Sequence, residues 1–210
     1  MKAVIWDFNG TILDDFELCL RVINQLLDKR QLPLLTEDSY RTFFDFPVED
    51  YYARIGFDFS AEPFPDLARE YMALYQPASF SCQLRSGVPE TLAALREQGL
   101  RQILLSATKH DFLLEQISHF DLNGFFEEII GLDDIYGRSK LEMARSWFSQ
   151  NELLPSETVL VGDTTHDFEV AAAIQCRCLL VGGGHNSVAR LQQTGASVLR
   201  EISAEMLQLC

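Results

Sequence analysis

Lys2-Ala3-Val4-Ile5-Trp6 runs without a break into Asp7-Phe8-Asn9-Gly10-Thr11. The apolar stretch 2–6 reads as a short buried strand, and residues 7–11 read as the turn that ends it. Everything after this turn has one of two textures, and their order decides the fold.

The first texture covers residues 15–81. Leu20, Ile23, Leu26 and Leu27 recur at helical spacing and predict a helix over 16–30. Thr36, with Ser39 as the alternative, starts a second helix. Two more are predicted over 48–55 and 66–75, separated by Gly56, Pro63 and Pro65. No convincing strand interrupts them, and Phe43, Phe44, Phe46, Tyr51, Tyr52, Phe57, Phe59, Phe64, Tyr71 and Tyr75 crowd the segment. It reads as a small all-helical unit.

From Gly87 the second texture is an alternation. Helices are predicted over 88–98 (ended by Gly99), 111–119, 140–150, 168–174 and 187–193. Strands are predicted over 102–105, 127–130, 158–161, 178–181 and 197–199. Such alternation implies α/β architecture, a Rossmann-like parallel sheet flanked by helices. The core is then residues 1–14 and 82–210, and the helical unit 15–81 is inserted after the first strand.

The 210 residues suit one domain carrying such an insertion, and 47% apolar content suffices for a sizeable core. A net charge of −14 argues against nucleic acid or an anionic membrane as partner. A phosphate site needs only a few local donors, so the charge does not choose a substrate. The apolar run behind Met1 and Lys2 is too short for an export signal or membrane span, and a cytoplasmic protein is expected. Five scattered cysteines, Cys19, Cys82, Cys176, Cys178 and Cys210, read as free thiols. Cys176 and Cys178 are expected on one face of a strand, buried and not metal-bound.

In open parallel sheets the active site forms at the carboxyl ends of the strands. Four such ends here carry reactive residues. They are Asp7-Phe8-Asn9-Gly10-Thr11, Ser106-Ala107-Thr108, Arg138-Ser139-Lys140 after a loop, and Gly162-Asp163-Thr164-Thr165-His166-Asp167. Asp7 is a candidate nucleophile. Gly10 permits close backbone approach, and Thr11, Ser106 or backbone groups such as that of Ala107 can hold phosphate oxygens. Lys140 offers a point charge, with Arg138 as its competitor. Asp163 and Asp167, four apart in a strand-to-helix turn, can serve one magnesium ion. His166 is assigned a surface or packing role.

In order and spacing these pieces resemble the four motifs of the haloacid-dehalogenase superfamily. Asp7-x-x-Gly10-Thr11 and Gly162-Asp163-Thr164-x-x-x-Asp167 are the specific ones, and the insertion falls where a type-1 helical cap would lie. The resemblance implies a magnesium-dependent phosphatase that forms an aspartyl-phosphate on Asp7. It places the metal on Asp7, Asp163, the carbonyl of Asn9 and Asp167. It implies a small phosphorylated metabolite as substrate, as in the phosphoglycolate phosphatase branch.

Asn9 departs from that pattern. Hydrolytic members usually carry Asp there, which protonates the leaving oxygen and then activates water. Asn cannot transfer a proton, and losing a general acid–base costs about 10²–10⁴-fold in rate. Three explanations are open: another group such as His110 or Lys109 supplies the proton, the leaving group needs little protonation, as in an acyl phosphate, or the residue was altered to trap a complex. Because Asn and Asp are nearly isosteric, Asn9→Asp is expected to raise the rate about 10²-fold. The reading from another class is a phosphate-binding or regulatory protein with slow turnover. Dehalogenases need no magnesium, which the retained Asp163 and Asp167 disfavour. A mutase needs the missing acid–base, and a phosphonatase needs a cap lysine, for which Lys29 is the one candidate between residues 12 and 81.

Overall fold

The computed structural model describes residues 1–209; Cys210, read above as a free thiol, lies outside the described residues. Its centre is β1 (Ala3–Trp6), fully buried and paired in parallel on both sides. One neighbour is β4 (Arg101–Lys109) and the other is β6 (Thr158–Gly162). With β5 (Glu128–Leu132), β7 (Arg177–Val181) and β8 (Ser197–Leu199) they form a six-stranded parallel sheet in the order β5-β4-β1-β6-β7-β8.

Strand alternation divides β1 between two cores. Val4 and Trp6 pack with Val88, Leu92 and Leu95 of α5 (Val88–Glu97) and with Leu113 and Ile117 of α6 (His110–His119). Ala3 and Ile5 face the other way, onto Ala144 and Trp147 of α7 (Leu141–Gln150) and Val170 and Ala171 of α8 (Thr165–Ala173). The short α9 (Val188–Gln192) precedes β8. Helices on both faces leave the carboxyl edge of the sheet as the place where loops converge.

Between β1 and α5 the chain makes an excursion. It leaves through β2 (Leu13–Asp14) and returns through β3 (Gln83–Leu84), which pair antiparallel with each other and with no strand of the large sheet. Two residues per strand are too few to reveal an alternating pattern, so this ribbon escaped the sequence reading. Four helices lie between: α1 (Phe16–Lys29), α2 (Glu37–Phe43), α3 (Val48–Arg54) and α4 (Phe64–Ser79). They bury a cluster of their own, including Ile23, Leu26, Tyr40, Tyr52 and Leu67, which Phe112 of α6 joins.

Several boundaries move for local reasons. Thr36, not Ser39, is the cap of α2, because the Thr36 hydroxyl accepts from the Ser39 amide while Ser39 Oγ accepts from the Thr36 amide. Helix α4 starts before the expected position because Pro65 suits a first turn. Helix α8 starts three residues early because Thr164 and Asp167 close a reciprocal cap. Cys176 lies before β7, so it does not share the strand with Cys178; its thiol donates to the Thr158 carbonyl at 2.9 Å, and both cysteines pack on the same core. Among the described residues no helix is long and apolar enough to cross a membrane.

Candidate active site

All four strand-end motifs meet beside the carboxyl end of β1. Asp7 follows the last residue of β1 and donates its backbone N–H to the Val161 carbonyl at 2.9 Å. That bond fixes the direction in which its carboxyl leaves the sheet. Lys140 immediately precedes α7, is 3% exposed, and extends its ammonium to 2.6 Å from Asp7 Oδ1 and 2.6 Å from Asp167 Oδ1. Arg138, the competing cation, is exposed and pairs loosely with Asp134 at 3.7 Å.

The three acids are individually anchored. Asp163 Oδ1 accepts from the Thr11 hydroxyl at 3.0 Å, and Oδ2 accepts from the His185 amide at 2.6 Å. Asp167 Oδ2 accepts from the Thr164 amide and hydroxyl at 2.9 and 2.7 Å. The cap that starts α8 thus also aims a carboxylate into the site. Thr11 is fully buried with its hydroxyl committed to Asp163, so what it does here is position an acid.

Gly10 has φ +75, and a Cβ there would stand 2.3 Å from Asp163 Oδ2. Its N–H donates to the Leu13 carbonyl and to Asp15 Oδ1, both at 2.9 Å, so its contribution is room for the acids. Ser106 is buried at a place where the ladder between β4 and β5 shifts register between Leu105 and Lys109. Its Oγ accepts from the Thr108 amide at 3.1 Å, which leaves its O–H to donate elsewhere. Ser106, Ala107 and Thr108 line the same cavity as Asp7 and Lys140.

Asn9 sits in a network the sequence did not reveal. Its Nδ2 donates to Asp15 Oδ2 at 2.8 Å and to the Tyr75 hydroxyl at 2.7 Å, while its Oδ1 accepts from the Thr108 hydroxyl at 2.7 Å. Tyr75 donates to Asp15 at 2.5 Å. His185 lies with Nε2 3.2 Å from Asp15 Oδ1 and Nδ1 3.0 Å from the Tyr40 hydroxyl. Burial pushes the His185 pKa down, but Asp15 outweighs it and raises it to about 9. Protonated, His185 donates from both nitrogens. Burial pushes Asp15 up, and His185, Tyr75 and Asn9 together hold it below the ordinary carboxylate value.

Neither Asp15 nor His185 was among the expected site residues. Asp15 looked like a helix boundary, yet its side chain makes no capping bond to α1 and turns back to Gly10 and Asn9. His185 follows Gly182-Gly183-Gly184 at the end of β7, a fifth strand end whose glycine run was the available signal. Arg85 also went unnoticed; its guanidinium donates to the Gly10 carbonyl at 2.7 Å and the Gly182 carbonyl at 2.6 Å, tying those two loops together. Of the candidate proton donors, Lys109 lines the cavity and pairs with Asp111 at 3.1 Å, while His110 does not line it. His166 is buried against Phe46, their rings 5.0 Å apart, as a packing residue.

Asp7, Asp163 and Asp167 offer oxygens within 4.8 Å of one another. Burial raises the Asp7 pKa; Lys140 opposes it, and Asp167 and Asp163 add to the rise. Asp167 Oδ1 meets Lys140 but accepts no well-directed hydrogen bond. Three buried carboxylates facing one ammonium leave negative charge uncompensated, and an all-oxygen donor set suits a hard divalent cation. The residues fit such an ion. A second group, Asp15, Cys19 and His185, also lies close enough to hold a metal, but its donors are engaged in the Asn9 network.

The haloacid dehalogenase-like hydrolase family matches residues 4–181, and the chain belongs to that family. It is 28% identical over 196 residues to a phosphoglycolate phosphatase of Nitrosospira multiformis, covering 89% of this chain and 85% of that one. It is 26% identical over 200 residues to the tyrosine-protein kinase PtkA of Mycobacterium tuberculosis, covering 94% and 68%. Among solved structures, a haloacid dehalogenase-like hydrolase from Streptococcus pneumoniae superposes with a TM-score of 0.83 at 17% identity, covering 99% and 97%. That last likeness is one of fold.

Proposed function

We propose that this enzyme is a magnesium-dependent phosphatase of small phosphorylated metabolites, working through an aspartyl-phosphate on Asp7. The observation that carries the reading is the Lys140 ammonium held 2.6 Å from both Asp7 and Asp167 at a buried strand end. A phosphatase and a kinase among its relatives support phosphoryl transfer as the common chemistry.

Asp7 Oδ1 or Oδ2 attacks phosphorus, and the alkoxide or phenoxide departs on the opposite side. Lys140, itself buried, neutralises charge on the nucleophile and the transferring group. The Ser106 hydroxyl and the backbone at Ala107 hold phosphoryl oxygens. Magnesium on Asp7, Asp163, Asp167 and the Asn9 carbonyl would supply further charge neutralisation. Residues 15–81 act as the cap, and Tyr40, Tyr75 and Tyr51 close the cavity from that side.

Phosphate release with magnesium that disappears in Asp7→Asn tests this reading, since an amide cannot be the nucleophile. A second reading, a phosphate-binding protein with slow turnover, is favoured by the triple hydrogen bonding that immobilises the Asn9 amide. Tight phosphate binding without release from any ester would favour it.

A further inference from the structure

Resting on the phosphatase reading, we propose that the site is selective for aryl phosphates, monoesters whose leaving oxygen sits on an aromatic ring. The cavity that begins at Asp7 and Lys140 continues between Phe44, Tyr51, Tyr52, Phe64, Tyr71 and Met72. Aromatic walls suit a flat apolar ring, which they meet edge-on or offset-stacked.

Charge argues the same way. Among the described residues, each cation lining the cavity already faces a carboxylate: Lys140 faces Asp7 and Asp167, Lys109 faces Asp111, and His185 faces Asp15. Deep between the aromatic walls a second anionic group, such as a carboxylate, would have no cation of its own, and at the mouth it would have to draw Lys109 from Asp111. Tyr51 is 2% exposed, and among the described residues its hydroxyl has no hydrogen-bond partner. A polar ring substituent would satisfy it.

Asn9 supplies an independent constraint. Position 9 offers no proton, so a leaving group that can depart as an anion has the advantage. A phenol ionises near 10, as tyrosine does, whereas alkyl alcohols lie roughly as high as water, about 15.7. In the step proposed, an Asp7 oxygen bonds to phosphorus as the bond to the aryl oxygen breaks. The phenoxide leaves with the electron pair and takes its proton from water. A second water then hydrolyses the acyl phosphate, returning the Asp7 carboxylate and inorganic phosphate.

The test is phosphate release by the full chain with magnesium from phenyl phosphate, benzyl phosphate, 2-phosphoglycolate and acetyl phosphate, with Asp7→Asn as control. We expect kcat/KM for phenyl phosphate to exceed that for 2-phosphoglycolate by about 10²-fold or more. Benzyl phosphate, with the ring but a poorer leaving group, should show a kcat/KM about 10²-fold lower than phenyl phosphate, the worth of the missing acid in the step that releases the leaving group. Equal or faster Asp7-dependent release from 2-phosphoglycolate overturns the aryl assignment and leaves the phosphatase standing. So does a preference for acetyl phosphate over phenyl phosphate. Benzyl phosphate with a kcat/KM equal to that of phenyl phosphate also overturns it, since another group then supplies the proton. No Asp7-dependent release from any of the four removes the phosphatase and this proposal together.

Discussion

The Asn9 amide lies 2.8 Å from the Asp15 carboxylate, and both belong to a hydrogen-bonded network that reaches Tyr75, Thr108 and His185. An aspartate at position 9 would set two carboxylates against each other in a buried site, and they would share one proton. The structure therefore changes what Asn9→Asp should do. Alone it should lower stability by about 2–3 kcal/mol and raise turnover less than about tenfold. The swap Asn9→Asp with Asp15→Asn keeps one carboxylate and one amide, and should recover stability and gain about 10²-fold in rate. Denaturant melts and kcat on one ester decide it. A full gain from the single change, with no loss of stability, would mean Asp15 imposes no constraint.

Lys140 is the partner of two buried acids. Lys140→Met leaves Asp7 and Asp167 uncompensated, a change that costs about 3–5 kcal/mol at comparable buried pairs. Magnesium should restore part of that stability by replacing the lost charge, while phosphate release stays depressed by at least about 10²-fold. Thermal melts with and without magnesium check the first part and single-turnover assays the second.

Removing one ligand should separate folding from metal binding. Asp163→Asn keeps an oxygen for the His185 amide, lets its NH2 donate to the Thr11 hydroxyl oxygen, and removes the charge. Magnesium at about 100 times its dissociation constant should stabilise the parent by about 2.7 kcal/mol. The variant should show almost none of that shift. Equal stabilisation of both proteins would remove Asp163 from the proposed metal site.

Arg190 clamps the loop after α2. Its guanidinium donates to the Phe44 carbonyl at 2.6 Å and pairs with Asp45 at 2.8 Å, while also reaching the Thr165 hydroxyl at 3.1 Å. Arg190→Ala should loosen closure, raising KM several-fold with a smaller change in the chemical step measured at saturation. Limited proteolysis within residues 42–47 should quicken.

A pH effect is expected in the proposed cap. Hydrogen bonding to Arg30 holds the Glu62 and Glu70 pKa values below the ordinary 4.5. A depressed carboxyl pKa contributes stability above the unfolded value, and that contribution fades as pH falls through the folded value. Both acids are largely solvated, so the difference between parent and Arg30→Met should be no more than about 1 kcal/mol at neutral pH. It should shrink steadily below about pH 4.5. A difference that grows in acid would contradict the assignment.

How far the sequence could be read follows from what each signal encodes. Asp7 and Asp163 stand at the ends of strands with strong apolar patterns, and Lys140 opens the helix that follows another strand, so their convergence followed from topology. Asp15 and His185 meet across 170 positions of sequence, at 3.2 Å, and only the folded chain brings them together. Thr11 and Gly10 were recognisable as site residues, yet their use is to seat Asp163, because the hydroxyl and amide that looked free are both engaged. Hydrogen-bond commitments of this kind are invisible to residue type.

The ribbon of β2 and β3 has an evolutionary consequence. Leu13 stands opposite Leu84 and Asp14 opposite Gln83, so the chain returns to within one strand spacing, about 4.8 Å, of where it departed. Whatever is strung between those two points closes on itself and imposes no requirement on the order of the large sheet. Such a segment is a cassette. Its length and sequence can change while the acids at the strand ends keep their places, which frees the proposed chemistry from what the segment carries.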